Sequence, residues 1–264
     1  MAYERITLEI ADGVATLTLN HPETRNALSW AMAAEIDHAL DSLGHNLSGA
    51  RALVITGAVK GFCSGGDMSS TVREGSDFGE MLYEGLTGAV NPMLLKLKAL
   101  RIPVIAAVNG AAAGAGAPLA LLADFVIAGE SAFFFMAFPN VGLVPDAGGS
   151  FTLPRLIGKA RAMQMMMLAE RIPAAQALDW GMIYKVVPDD TLLAEARTLA
   201  VRLAAGPTVA YGLIRQEVQA ALESDLATAL ETEARNQRTA GQSKDCAEAV
   251  AAFLEKRAPV FRGE

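Results

Sequence analysis

Cysteine is nearly absent: Cys63 and Cys246 stand far apart in the 264 residues. Two such residues exclude a disulfide framework, and with three histidines no Cys/His cluster at metal-ligand spacing exists. Charge is also scarce, at 19% of residues against 52% hydrophobic. That balance excludes a disordered chain and supplies ample core material. Positive charge is the rarer sign, with 22 Lys and Arg against 29 Asp and Glu, a net −7. Nucleic acid as the main ligand is therefore not expected, because phosphate binding draws on clustered Lys and Arg. A local basic patch for a small anion stays compatible with that balance. The longest apolar run, Val104 to Leu122, is interrupted by Asn109, three glycines and Pro118. It reads as strand, tight loop and helix, not as a membrane span. The start, "MAYERITLEI", lacks the basic and apolar regions of a secretory leader. A cytoplasmic protein with no membrane partner is expected.

What is present is alternation of strand and helix patterns. "ERITLEIADGVATLTLN" holds two β-rich runs around Asp12-Gly13, a hairpin signal. "SWAMAAEIDHALDSL" has helical periodicity behind the N-cap candidate Ser29. "ARALVITG", "PVIAAVNG" and "DFVIAGE" read as buried strands, with a long helical stretch from about Phe78 to Leu100 between the first two. This order predicts an α/β layer fold with buried sheets. Beyond Pro188 the pattern is helical nearly to the end, with a stop at Gly206 and Pro207 in the first turn of the next helix. The segments are alanine-rich with modest apolar faces, which suits packing on another surface, such as an oligomer interface.

Two glycine-rich loops, "KGFCSGGDM" (60–68) and "NGAAAGAGAP" (109–118), each follow a predicted strand and precede a predicted helix. Glycine admits close ligand approach, and free N–H groups at a helix start are ready anion donors. Pro118 suits the first helical position. Neither loop matches a P-loop or a dinucleotide fingerprint. The loops either form an oxyanion site together or simply pack tightly. A third stretch, "NVGLVPDAGGS" (140–150), follows the apolar "SAFFFMAF" and has Asp146 as its only charge. Pro-Asp-x-Gly is ordinary turn chemistry, but a carboxylate buried beside Phe138 and Leu143 would have a raised pKa suited to a general base. Glu130 is the other candidate acid and reads as a surface turn residue.

"FCSGGDM", "IPVIAAVNGAAAGAGAPLALLADFVIAGESAFF" and "NVGLVPDAGGSFTLPRLIG", in this order and spacing, resemble the enoyl-CoA hydratase/isomerase, or crotonase, family. The likeness extends through "AQALDWGMIYKVV" and "AFLEKRAPVFRG", nearly the whole chain. Within the family, "GAGAPLALLADFVIA", "FFMAF" and "GLVPDAGG" look most like the isomerases that act on ring-epoxidised phenylacetyl-CoA.

The resemblance implies a crotonase ββα superhelical spiral over 1–200 with an acyl-CoA site. A C-terminal helical trimerisation region over 201–264 would assemble a trimer or a dimer of trimers. It implies that the Gly66 and Ala115 N–H groups polarise a thioester carbonyl, with Asp67 holding the first loop. It places Arg25, Ala27, Lys60, Ser64, Gly65, Asp67, Gly114 and Phe138 at the substrate, with lesser help from Lys256 and Arg257. It implies no metal and no redox cofactor, coenzyme A being carried by the substrate.

The two glutamates with which the family's hydratases handle water are replaced here by Pro118 and Phe138. Asp146 matches the single catalytic aspartate of isomerase-type members. The expected reaction is isomerisation through a thioester enolate. The alternatives are a hydratase using Asp146 alone, or a non-catalytic relative that binds acyl-CoA or RNA. Cys63 reads as a buried filler, His21, His38 and His45 form no pair, and the segment from Ser70 to Leu95 would shape the acyl pocket.

Overall fold

A computed structural model describes residues 3–44, 49–68, 75 and 77–264. Strands β1 (Ile6–Ala11) and β2 (Val14–Leu19) pair antiparallel across Asp12 and Gly13. Both turn residues have positive φ, 55° and 73°, the two-residue hairpin geometry whose twist matches that of the strands. Helix α1 (Trp30–Gly44) follows Ser29, whose Oγ accepts the Met32 N–H at 3.1 Å. This is the N-cap that the sequence signals.

The chain then runs through β3 (Ala52–Gly57), α2 (Phe78–Gly85), a π-helical turn (Leu86–Val90) and α3 (Asn91–Ala99). Next come β4 (Val104–Val108), β5 (Ala111–Ala113) and α4 (Gly116–Leu121). The stretch anticipated as one long helix is thus helical throughout but widened by a π turn. His45 and the part of the pocket-shaping segment at 70–74 and 76 lie outside the described residues.

Strands β6 (Phe125–Gly129), β7 (Phe133–Phe135), β8 (Arg171–Pro173) and β9 (Lys185–Val187) complete two sheets. One has six strands in the order β1-β2-β3-β4-β6-β9, parallel from β2 onward; the other joins β5, β7 and β8. Every residue of β3 and β4 is buried, as parallel strands covered on both faces must be. Leu53, Ile55, Val104, Ala106 and Val108 face the main core, while Ala52, Val54, Ile105 and Ala107 face the other way. Helix α5 (Gly149–Leu168) and α6 (Ala174–Asp179) precede the last strand. Helix α7 (Leu192–Ala204) covers that second face with Leu192, Ala196, Ala200 and Ala204, spaced four apart on one stripe. Mixed α/β layers with a helical C-terminal part are the architecture that the sequence pattern predicts.

The last three helices are α8 (Thr208–Ala221), α9 (Leu226–Gly241) and α10 (Lys244–Glu255). Arg215 of α8 ties them to the sheet: Nε donates to Asp124 at 2.8 Å, and the other guanidinium nitrogens donate to the Leu97 and Leu100 carbonyls. Asp124 also accepts the Val104 N–H at 2.7 Å, so one buried cation joins helix ends and β4. Among the described residues, no helix is long and apolar enough to cross a membrane.

Candidate active site

Asn26 organises the entrance to the first glycine loop. It has φ 58° and is 1% exposed; its Nδ2 donates to the Ala58 and Gly61 carbonyls at 3.0 and 2.9 Å, and its Oδ1 accepts the His21 N–H at 3.0 Å. Asn tolerates the left-handed region better than other residues with side chains. Held this way, the segment after Thr24 runs beside the loop. The Leu28 N–H donates to the Gly65 carbonyl at 2.7 Å, and the Asp67 N–H donates to the Leu28 carbonyl at 3.2 Å. Ser64 adds its N–H to the Arg25 carbonyl and its Oγ to the Thr24 carbonyl.

On the other side the first loop bridges to β5. The Cys63 N–H donates to the Ala111 carbonyl at 3.0 Å, and the Ala113 N–H donates to the Cys63 carbonyl at 2.9 Å. The two glycine loops therefore touch. A Cβ on Gly114, where φ is +48°, would stand 3.2 Å from the Gly65 Cα; one on Gly116 would stand 2.6 Å from the Cys63 Cβ. Contact requires glycine at Gly116, and positive φ favours it at Gly65 and Gly114. Burial pushes the Cys63 thiol up to about 11, which keeps it protonated and inert, in keeping with a filler.

Helix α4 begins at Gly116, with Ala115 before it. Pro118 therefore occupies the third helical position, not the first. Its missing N–H is harmless there as well, because every N–H of the first turn lacks an intrahelical acceptor. Among the described residues, neither the Gly66 nor the Ala115 backbone N–H has a hydrogen-bond acceptor. Both residues line a cavity of about 230 Å3 whose wall also includes Ser64, Gly65, Gly114, Phe138 and Asp146.

Asp146 enters this cavity from a tight turn. Its carbonyl accepts the Gly149 N–H at 2.9 Å, and Ala147 and Gly148 between them have φ 51° and 82°. Positive φ at both central residues makes a type I′ turn. Oδ1 is buried with no hydrogen-bond partner. Burial raises the carboxyl from its ordinary 3.8 to about 6, because an ionised group in an apolar wall loses hydration that nothing replaces. Leu143 and Phe138 are part of that wall. Among the described residues lining the cavity, Asp146 is the only one with an acidic or basic side chain.

The fold thus gathers Asp146, Gly66, Ala115, Ser64, Gly65, Gly114 and Phe138 around one space. It does not bring Arg25, Ala27, Lys60 or Asp67 into the lining. Arg25 and Lys60 are exposed, and Ala27 is buried. Arg257 donates to Glu248 and Glu255, so it is engaged within its own helix end. Glu130 is exposed. Trp30, which the sequence did not single out, joins Leu82, Leu86 and Val90 of the segment expected to shape the pocket in the apolar wall. The four-residue spacing of the last three was the signal available. Asn26 was missed too, and nothing local to it announces its role.

Two backbone N–H groups without acceptors among the described residues and one carboxylic acid line a single apolar cavity on stacked β-α layers, an arrangement able to polarise a carbonyl and to move a proton. The enoyl-CoA hydratase/isomerase family model matches residues 9–264, and the chain belongs to that family. It is 46% identical over 264 residues to a probable enoyl-CoA hydratase of Rhodobacter capsulatus, covering 100% of both chains. It is 44% identical over 261 residues to the 1,2-epoxyphenylacetyl-CoA isomerase of Escherichia coli, covering 99% of each. The crystal structure of an enoyl-CoA hydratase from Bacillus anthracis superposes with a TM-score of 0.92 at 32% identity, over 99% of this chain and 100% of that one. The fold is the crotonase fold.

Proposed function

We propose that this chain is an acyl-CoA isomerase working through a thioester enolate. The observation that carries the reading is the solitary Asp146. It is the only acidic or basic side chain among the described cavity-lining residues, and it shares that space with two amides that lack acceptors. Water addition by paired acids needs a second carboxyl, and Pro118 and Phe138 stand where the family's hydratases have theirs. Isomerisation needs only one group, which takes a proton and gives it back.

On a 3-enoyl thioester, the Asp146 carboxylate removes a proton from C2. The C–H electron pair moves toward the carbonyl, whose oxygen accepts hydrogen bonds from the Gly66 and Ala115 N–H groups. The protonated Asp146 then delivers the proton to C4, and the double bond moves from C3–C4 to C2–C3. No water is consumed. The same dienolate chemistry would assist opening of an epoxide on a phenylacetyl group. Each oxyanion donor is worth about 2.7–4 kcal/mol in such sites. The sequence match to the Escherichia coli isomerase supports this choice.

Exposed Arg25 and Lys60 would meet the phosphates of coenzyme A, as the family likeness implies. The reading carries with it a cytoplasmic location and a reaction without metal or redox cofactor. It also carries a trimer or dimer of trimers assembled through residues 201–264, where Leu226, Phe253 and Leu254 are exposed apolar side chains.

The hydratase name of the Rhodobacter relative favours a second reading, hydration with Asp146 handling water alone. Incubation with 2-enoyl- and 3-enoyl-CoA, followed by product analysis, separates the two. Interconversion of the enoyl isomers is expected. A 3-hydroxyacyl-CoA as the only product would overturn the isomerase reading.

A further inference from the structure

Gly85 closes α2 in ordinary helical geometry, φ −66° and ψ −41°, so no positive φ calls for glycine there. In a helix interior glycine is about 1 kcal/mol worse than alanine. What its missing side chain leaves is room for an indole. A Cβ on Gly85 would stand 2.8 Å from Cδ2 of Trp30, with Cε2 and Cζ2 nearer still. Trp30 opens α1, and it lines the same cavity as Asp146.

The helix beyond Gly85 serves the same wall. Leu82, Leu86 and Val90 all line the cavity. Side chains four apart on a regular α-helix drift by about 40° per step. The π turn Leu86–Val90 is wider, takes up that drift and keeps the three in line.

We infer that Gly85 sets the depth of the acyl cavity by letting the Trp30 indole withdraw against α2, and that the space so opened selects a bulky, ring-bearing acyl group over a short straight chain. Gly85 is a positioning residue that acts through Trp30. A methyl group at position 85 would drive the ring roughly 1 Å to restore an ordinary carbon contact. The ring lines the cavity, so the cavity is where it would yield. The inference rests on the acyl-CoA reading above, but not on whether the reaction is isomerisation or hydration.

The test is equilibrium binding of two unreactive thioesters, phenylacetyl-CoA and butanoyl-CoA, to wild type, Gly85→Ala, Trp30→Ala and the double variant. Wild type should prefer phenylacetyl-CoA. Gly85→Ala should lose about tenfold or more of that preference, the scale on which a methyl-sized obstruction discriminates in an apolar pocket. In the Trp30→Ala background, alanine at 85 should cost nothing further, since no ring remains to displace. A preference in Gly85→Ala within about twofold of wild type, far short of that scale, would overturn the inference. So would an equal loss with and without Trp30. Wild type holding both thioesters while Gly85→Ala matches it defeats this inference alone. Wild type holding neither defeats the acyl-CoA reading as well.

Discussion

Replacing Asp146 with Asn should make the protein more stable and nearly inactive. The carboxyl is raised by burial from 3.8 to about 6, so the native state holds this proton more tightly than the unfolded chain does. By linkage, the stability from this group is greatest at low pH and is lost as pH rises through about 4 to 6. At pH 7.5 the ionised carboxylate destabilises the fold by about 3 kcal/mol, and at pH 5 by about half that. Asn keeps the shape without the charge. For a chain of this size 1 kcal/mol moves Tm by about 2–4 °C, so the variant should melt several degrees above wild type at pH 7.5 and by a smaller margin at pH 5. Thermal melts followed by circular dichroism at the two pH values read this directly. Turnover should fall by about 10²–10⁴, the worth of a general acid–base group. A variant no more stable than wild type at pH 7.5 would refute the claim that the wall holds an unpaired carboxylate.

Three other outcomes are expected. The kcat/KM of the wild type should rise with pH through about 6 and then level, since the carboxylate form of Asp146 takes the first proton; an unchanging profile between pH 5 and 8 would count against it. Gly114→Ala places a Cβ 3.2 Å from the Gly65 Cα at φ +48°, so the two glycine loops must give by a few tenths of an ångström; kcat should drop by up to about tenfold while circular dichroism stays that of the wild type. Arg215→Ala leaves the Leu97 and Leu100 carbonyls without their guanidinium donors and removes the 2.7 Å ion pair to exposed Asp124, and should cost about 1–3 kcal/mol in urea titrations.

Local chemistry made much of this legible. Asp12-Gly13 and Ser29 announce their turn and cap because a few neighbouring atoms decide both. The raised carboxyl of Asp146 could be anticipated because its apolar neighbours Phe138 and Leu143 are close in sequence. The start of α4 was placed two residues late, because Gly116 and Ala117 offer no boundary signal and proline is tolerated throughout a first turn. What stayed hidden depends on distant pairs. Asn26 earns its place from the Ala58 and Gly61 carbonyls, and Trp30 from the absence of a side chain at Gly85. No window of sequence contains both halves of either contact. The exposed Arg25 and Lys60 follow from the family likeness alone, since nothing in the cavity lining draws them in.

Isomerisation here depends on Asp146 moving the proton. Wild type and Asp146→Asn should each be incubated with a 3-enoyl-CoA in heavy water, and the recovered thioesters examined by mass spectrometry. Wild type should yield the 2-enoyl isomer with no hydroxyl added, carrying deuterium only to the extent that protonated Asp146 exchanges with solvent before returning its proton, and the variant should yield unchanged starting material without deuterium. Undiminished exchange in the variant, or a hydroxyacyl thioester as the sole product of the wild type, would contradict it.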